Sequence, residues 1–347
     1  MPEPDVLVVG AGLAGLTAAA ALADRGRTVR LLDKAAGPGG RLATRRIDGA
    51  TLDHGAQFFT VRSDEFTSLT RRWRAGGVPI EQWSSGFVQA SDIRDGHDGI
   101  TSTGGDGHAR YSVRGGMNEL ARALARDLAV GRPPARFVPG EQVTAVWVRD
   151  GRWHVAATGA DGPSMHRAGA LLCTPPVPQT LALFARGGTR LSTQIAATLD
   201  AITYDPCLAL LVVLDGDPVL RGPGGVQFAS GPVRWLADNA RKDVSARPAI
   251  TVHASGPWSR AWFDADDDEV GSTLHAWLRP WLGDARVVAS QITRWRYAQP
   301  RDLVEQAALA TDVDGAHVAF AGDAFGHARV EGAARSGLAA AEALLGG

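Results

Sequence analysis

The sequence predicts an α/β fold made of about two domains, since the chain has 347 residues. Near the start, an apolar run at 5–9 is followed by a glycine-rich turn, an alanine-rich stretch and a second apolar run at 28–33. Near the end, an apolar run at 316–321 precedes a helical pattern at 331–345. Short apolar runs beside helical patterns are typical of buried parallel strands.

The first glycine-rich turn has the spacing GxGxxG. Gly10 makes the tight turn, Gly12 leaves room for a pyrophosphate beside the backbone, and Gly15 permits close packing of helix on strand. Asp33 ends the second strand 21 residues after Gly12, where a carboxylate accepts hydrogen bonds from ribose hydroxyls. The pattern predicts a Rossmann-type dinucleotide-binding domain. The candidate cofactor-binding residues of this segment are Gly10, Gly12, Leu13, Ala14, Gly15, Asp33 and Lys34.

The next segment, 37–45, indicates which dinucleotide is bound. Gly40 permits close approach of the backbone, and Arg41 offers a guanidinium to a pyrophosphate oxygen. The segment resembles the glycine doublet of FAD-dependent amine oxidases and glutathione-reductase-like flavoproteins, which implies FAD rather than NAD. The alternative is a flexible loop with a solvated arginine.

The carboxyl-terminal strand and helix resemble the ends of the same flavoproteins. There, the carboxylate of a Gly-Asp pair, here Gly322 and Asp323, binds the ribityl or pyrophosphate region. The following helix directs the positive end of its dipole at the flavin. Glu331, Gly332 and Ala333 at its start are therefore cofactor-binding candidates.

The middle of the chain predicts a β-meander and a second sheet. Runs at 142–148, 152–157 and 170–176 predict the three strands of the meander, with Asp150 and Gly151 forming a hairpin turn. Val143 in the first run is a further cofactor-binding candidate. Four extended runs predict an antiparallel sheet with helices: 207–214, 226–236, 249–254 and 286–296.

These patterns divide the chain into two interleaved domains. We expect an FAD-binding domain from 1–63, 112–178 and 293–347, and a discontinuous α+β substrate domain from 64–111 and 179–292. The division assumes that the chain leaves the nucleotide-binding sheet twice.

Composition excludes several classes of protein. The 36 basic and 37 acidic residues nearly balance, which argues against a nucleic-acid clamp. Two cysteines exclude a disulfide scaffold, and the nine histidines lack metal-ligand spacing, so no metal is predicted. The uncharged run 6–23 follows acids rather than bases and contains three glycines, so we expect no membrane contact and a cytoplasmic protein.

Segments along nearly the whole chain resemble the bacterial renalases. The matching segments are 53–60, 115–121, 235–239, 252–255 with 258–259, 295–298, and 329–333 with 336–337. The resemblance implies a fold like that of p-hydroxybenzoate hydroxylase and adds Gly55, Ala56 and Gln57 as cofactor contacts. It implies oxidation of the 2- and 6-dihydro isomers of NAD(P), with hydride passing to FAD and O2 becoming hydrogen peroxide.

The chain contains only two lysines, Lys34 and Lys242. Many flavin amine oxidases place a lysine beside the flavin, but Lys34 belongs to the adenosine end and Lys242 to a polar turn that we expect to be exposed. A dihydronicotinamide needs no such base, because loss of hydride leaves an aromatic pyridinium. Oxidation of an amine or another small metabolite, and flavin binding without turnover, remain alternative functions.

Three residues are candidates for the catalytic site. Trp295 and Tyr297 alternate on a predicted strand and share a face, which we expect to hold the nicotinamide ring; the alternative is that both are core residues. Gln57 is expected to contact the flavin pyrimidine or the substrate amide, unless it is a structural turn residue. The roles of His54 and His327 stay open.

Overall fold

The computed structural model describes residues 3–103, 105–131 and 135–346. The strands are β1 (Val6–Val9), β2 (Val29–Asp33), β3 (Thr44–Ile47), β4 (Ala50–Asp53), β5 (Ile80–Ser84), β6 (Val88–Ala90), β7 (Ile100–Ser102), β8 (Arg110–Val113), β9 (Arg136–Pro139), β10 (Gln142–Arg149), β11 (Arg152–Gly159), β12 (Gly162–Ala168), β13 (Ala170–Cys173), β14 (Tyr204–Leu214), β15 (Gly225–Phe228), β16 (Val233–Asp238), β17 (Ala249–Ala254), β18 (Val287–Pro300), β19 (Leu309–Val313) and β20 (Ala316–Phe320). The helices are α1 (Leu13–Asp24), α2 (Asp64–Ala75), α3 (Asn118–Val130), α4 (Val177–Arg186), α5 (Thr193–Asp200), α6 (Gly256–Ala261), α7 (Asp267–Leu278) and α8 (Arg329–Leu345), with 3₁₀ turns at Gly40–Leu42, Ile93–Gly99 and Arg279–Trp281.

A six-stranded sheet joins the two ends of the chain, in the order β19-β20-β13-β1-β2-β9. All its pairings are parallel except that of β19 with β20. The four residues of β1 are buried on both faces: Val6 and Val8 pack with α1 and α8, and Leu7 and Val9 pack on the opposite side. Burial on both faces explains the unbroken apolar run, and the predicted α/β class is confirmed.

The predicted meander is wrong in its third strand. The sheet contains β10, β11 and β12, whereas the run that begins at Ala170 forms β13 between β1 and β20 in the six-stranded sheet. All four side chains of β13 are buried, while those of β12 alternate between exposed and half-buried along most of its length. The hairpin turn between β10 and β11 is confirmed, since Asp150 and Gly151 both have positive φ.

A seven-stranded sheet covers the other side of the molecule, in the order β18-β14-β17-β16-β15-β6-β7. The predicted run 226–236 forms two antiparallel strands, β15 and β16, joined by a turn at 229–232. The proposed domain boundary at 293 falls inside β18, which pairs with β14 from Val287 to Pro300. The division into domains stays a prediction. No helix in the described part of the chain is long and apolar enough to cross a membrane.

Candidate active site

A cavity of about 2180 Å³ lies between the carboxyl ends of the parallel strands and the seven-stranded sheet. Pockets for one small ligand measure about 300–1,000 Å³, so this cavity has room for a dinucleotide and a second molecule. Every candidate cofactor residue lines it except Gly15. Trp295, Tyr297, His54 and His327 line it as well.

The glycine-rich turn forms one end of this cavity. A Cβ on Gly15 would lie 2.0 Å from the carbonyl oxygen of Gly10, so Gly15 serves the packing of α1 on β1. A Cβ on Gly12 would meet nothing within 4 Å, which leaves open space beside the backbone. Asp33 accepts hydrogen bonds from the N–H groups of Ala11 (2.7 Å) and Ala35 (2.8 Å), so the same carboxylate also holds the turn.

Helices α1 and α8 both begin at the cavity. Gly12 and Ala328 precede them, and neither provides a side-chain cap. Their free N–H groups therefore remain for a ligand and create two regions of positive potential. The helices approach closely because a Cβ on Gly337 would lie 2.3 Å from the carbonyl oxygen of Ala14.

Glu331 has a role that its sequence position did not indicate. Its carboxylate accepts hydrogen bonds from the N–H groups of Arg62 (3.0 Å) and Ser63 (2.9 Å), just before α2. The side chain predicted to bind cofactor thus also stabilises the start of another helix, 268 residues away from Ser63.

Arg41 and Asp323, both predicted to bind the cofactor, are paired with each other. The two hydrogen bonds measure 2.7 and 2.6 Å, and Arg41 also donates to the carbonyl of Ala298 at 3.3 Å. Burial raises the pKa of Asp323, and the adjacent guanidinium opposes that shift. Both residues of the pair line the cavity.

The expectation that Lys242 is exposed is wrong. Its side chain is completely buried and forms an ion pair with Asp53 at 2.7 Å. The turn that carries it contains several polar residues, but Asn239 and Ser245 of that turn are buried as well. Lys242 does not line the cavity, whereas Lys34 lines it beside Asp33.

The cavity wall on the side of the seven-stranded sheet carries aromatic side chains. The Trp295 indole donates a hydrogen bond to the carbonyl of His54 at 2.8 Å and stacks on its ring. His253 bonds the same carbonyl through Nε2 at 3.2 Å. Tyr297 packs edge-on against Tyr204.

Both histidines of this wall are held in the neutral form. Burial lowers the pKa of His54 to about 4, and burial also lowers the pKa of His253 to about 4. His253 must therefore carry its proton on Nε2 to donate to the His54 carbonyl. Among the described residues, no group of three or more His, Cys, Asp or Glu side chains is arranged to hold a metal ion.

The residues present fit a dinucleotide that carries a flavin. Open space at Gly12, two uncapped helix starts and the Arg41 guanidinium suit a pyrophosphate. The buried Oε1 of Gln57 has no hydrogen-bond partner among the described residues and offers an acceptor to an N–H group.

Thr174 was not identified as a site residue from the sequence. Its hydroxyl lies beside Gly10 and donates a hydrogen bond to the carbonyl of Val9 at 2.8 Å. The only signal for this contact in the sequence is the position of Thr174 directly after the apolar run of β13.

Two family models match the chain. A model described as an NAD(P)-binding Rossmann-like domain matches residues 8–74, and one described as flavin containing amine oxidoreductase matches residues 79–345. Among curated proteins, hydroxyneurosporene desaturase of Rubrivivax gelatinosus is 56% identical over 57 residues, or 16% of this chain and 11% of that protein. Putrescine oxidase of Kocuria rosea is 45% identical over 67 residues, or 19% of this chain and 14% of that protein. The matches thus span a small part of these relatives.

Solved structures share the fold over the whole chain. A variant of putrescine oxidase has a TM-score of 0.73 at 18% identity, covering 99% of both chains. A protein described as a putative protoporphyrinogen oxidase from Exiguobacterium has a TM-score of 0.72 at 14% identity, covering 100% of both chains. At these identities the likeness concerns architecture alone.

Proposed function

Because this chain belongs to the family of flavin-containing amine oxidoreductases, we propose that it is an FAD-dependent oxidase of dihydronicotinamide isomers. Its substrates are the 2- and 6-dihydro forms of NAD(P), and its products are NAD(P)⁺ and hydrogen peroxide. The observation that carries the proposal is the cavity wall on the side of the seven-stranded sheet. The described residues of this wall combine aromatic rings with arginines and include no lysine.

The charge of this wall favours an anionic substrate. It carries four arginines from β16, β18 and the residue after β18: Arg234, Arg294, Arg296 and Arg301. Arg294 is bound to Asp267, Arg296 lies 3.6 Å from Asp264, and Arg301 lies 3.9 Å from Asp205. Arg234 is exposed and has no ion-pair partner among the described residues, so it supplies the uncompensated positive charge of this wall. A dinucleotide carries a pyrophosphate that such a wall attracts, whereas a dicationic polyamine would be repelled.

The aromatic residues supply a surface for a flat ring. Trp295 and Tyr297 both line the cavity, and the hydrogen bond from Trp295 to the His54 carbonyl fixes the indole. Hydride transfer requires the dihydronicotinamide ring to lie at van der Waals distance from the cofactor, and these aromatic side chains would support one side of that ring.

The reaction needs no base from the protein. When bound, FAD would supply a two-electron acceptor that O2 can reoxidise, so that the dihydro isomer, O2 and one proton from solvent give NAD(P)⁺ and hydrogen peroxide. The substrate loses no proton, because aromatisation of the ring drives the step. Accordingly the wall carries neutral His54 and His253 rather than an ammonium group. The role of these two residues is to bind and orient the substrate, without taking a proton from it.

Oxidation of an amine is the second candidate, favoured by Asp205, whose carboxylate lines the cavity. Asp205 is already bound by the guanidinium of Arg260 at 2.5 Å, which leaves it less able to hold a substrate ammonium. A flavin-binding protein without turnover is the third, and would show bound FAD but no peroxide.

Oxygen consumption tests the proposal directly. The purified holoenzyme is supplied with 2-dihydro-NAD, 6-dihydro-NAD, putrescine or a monoamine. We expect turnover with the dihydro isomers, and we expect Arg234→Glu to raise their KM about tenfold or more, which corresponds to one lost charge contact. Arg221→Glu, an exposed arginine that does not line the cavity, is the matched control. Turnover restricted to amines would overturn the proposal.

A further inference from the structure

A buried ion pair lies behind the cavity wall. Asp53 and Lys242 are both completely buried, and their 2.7 Å contact joins segments 189 residues apart. Removing two charges from water is costly, so such a pair contributes little to stability compared with apolar residues of the same volume. Its contacts indicate a different use.

Asp53 is held at each of its polar groups. Its carboxylate accepts hydrogen bonds from the Lys242 ammonium, from the Thr44 hydroxyl and from the Met117 N–H at 2.8 Å. Its own N–H donates to the Asn239 side chain at 3.1 Å. The carbonyl of Asp53 therefore has a fixed direction, set by segments from three parts of the chain.

That carbonyl orients Gln57. The Nε2 group of Gln57 donates to the carbonyl of Asp53 at 2.7 Å and to that of Gly55 at 3.2 Å. Both amide hydrogens are used, and a flipped amide would place its oxygen against two carbonyl oxygens, so the orientation is determined. Oε1 is left as a buried acceptor without a partner among the described residues, in a side chain that lines the cavity.

We propose that Asp53 and Lys242 are positioning residues that hold Gln57 so that its Oε1 accepts a hydrogen bond from an N–H group of the ligand in the cavity. Such an N–H belongs to the imide of the flavin pyrimidine or to the carboxamide of the nicotinamide ring. The first source rests on the family's cofactor, and the second rests on the proposed function.

The Lys242 ammonium has a second contact as well, since it lies 5.4 Å from the centre of the Trp83 ring. Lys242→Met keeps the length of the side chain but leaves the Asp53 carboxylate without its counter-charge. Because an unpaired buried carboxylate is costly, Asp53 moves towards solvent and shifts the loop 53–57. Oε1 of Gln57 then leaves its position.

The experiment is a double-mutant cycle between Lys242→Met and Gln57→Met, with dissociation constants measured for FAD on the apoprotein and for 6-dihydro-NAD on the anaerobic holoenzyme. We expect each single variant to raise the same one of these two dissociation constants about tenfold. We expect the double variant to bind that ligand no more weakly than Gln57→Met alone. Lys242→Arg, which keeps the charge, restores most of the affinity. Arg25→Met, which breaks the exposed pair with Glu342, is the matched control and changes neither constant.

The two arms separate the two sources of the N–H group. A change in FAD affinity assigns the partner to the flavin, and a change confined to 6-dihydro-NAD assigns it to the substrate. The proposal is overturned if Lys242→Met changes neither dissociation constant. It is also overturned if the double variant shows the product of the two single effects, because the two residues would then act independently. If Lys242→Met does not fold, Lys242→Arg and Asp53→Asn are compared in the same cycle. If the wild type binds no dihydronicotinamide, the proposed function fails and the FAD arm alone decides.

Discussion

The guanidinium of Arg41 and the carboxylate of Asp323 form two hydrogen bonds of 2.7 and 2.6 Å across 282 residues of sequence. They connect the segment after β2 with the segment after β20, two strands of the six-stranded sheet that are separated by β13 and β1. The Asp323 carboxylate is nine-tenths buried, so its charge depends on this partner.

Replacement of Arg41 tests this dependence. We expect Arg41→Ala to lower the free energy of unfolding of the apoprotein by about 2 kcal/mol, because a buried carboxylate loses its counter-charge while the arginine itself is partly exposed. We expect FAD affinity to fall as well, since the pyrophosphate loses a positive charge that lines the cavity. Urea unfolding and apoprotein titration measure the two effects. Arg72→Ala, which breaks an exposed pair, should change neither.

Gly12 and Gly15 should respond differently to the same added methyl group. Gly12→Ala meets no protein atom within 4 Å, so we expect normal stability of the apoprotein and FAD affinity reduced at least about tenfold. Gly15→Ala places its Cβ 2.0 Å from a carbonyl oxygen and should unfold the domain. Gly271→Ala, in α7 and free of close contacts, is the control for both. Normal FAD binding by Gly12→Ala would show that the pyrophosphate lies elsewhere.

The neutral histidines predict loss of stability in acid. The pKa of His253 is about 4 in the folded protein, below its ordinary value of 6.5, because the ring is buried. Between these values the unfolded chain binds more protons, so the free energy of unfolding falls as pH decreases from 6.5 towards 4. For one such histidine the loss between about pH 7.5 and pH 5 is about 2 kcal/mol. His253→Gln should remove that part of the pH dependence.

Urea unfolding of the apoprotein at both pH values measures this difference. Exposed His108 provides the control, since His108→Gln should leave the pH dependence as in the wild type. An unchanged slope in His253→Gln would contradict the assignment of a buried neutral ring.

Replacement of Glu331 distinguishes a structural role of its carboxylate from a contact with the cofactor. We expect Glu331→Ala to lower the free energy of unfolding by about 1 kcal/mol, because two N–H groups before α2 lose their acceptor. FAD affinity should change less than about twofold if the carboxylate serves only α2. A large loss of FAD affinity with unchanged stability would instead support the cofactor contact that the sequence suggested.

The local parts of this fold were predictable from the sequence. The turn at Gly10 and Gly12, the hairpin at Asp150 and the strand that became β18 depend on neighbours in the chain, and short-range patterns encode them. The place of β13 was not predictable, because its apolar run fits a meander and a parallel sheet equally well until its partners are known.

Contacts between residues far apart in the sequence could not be predicted for a related reason. The polar turn around Lys242 resembles a solvated one, and only the carboxylate of Asp53, 189 residues earlier, makes its burial tolerable. The second role of Glu331 likewise depends on N–H groups far away in sequence. Candidate residues could be named from motifs, but their partners could not.

Anaerobic rapid mixing of the FAD-loaded protein with 6-dihydro-NAD tests the central claim most directly. The proposal predicts rapid bleaching of the visible flavin absorbance, release of NAD⁺, and recovery of the absorbance with formation of hydrogen peroxide when O2 is admitted. Absorbance that persists with both dihydro isomers, while putrescine or another amine bleaches it rapidly, would contradict the proposal.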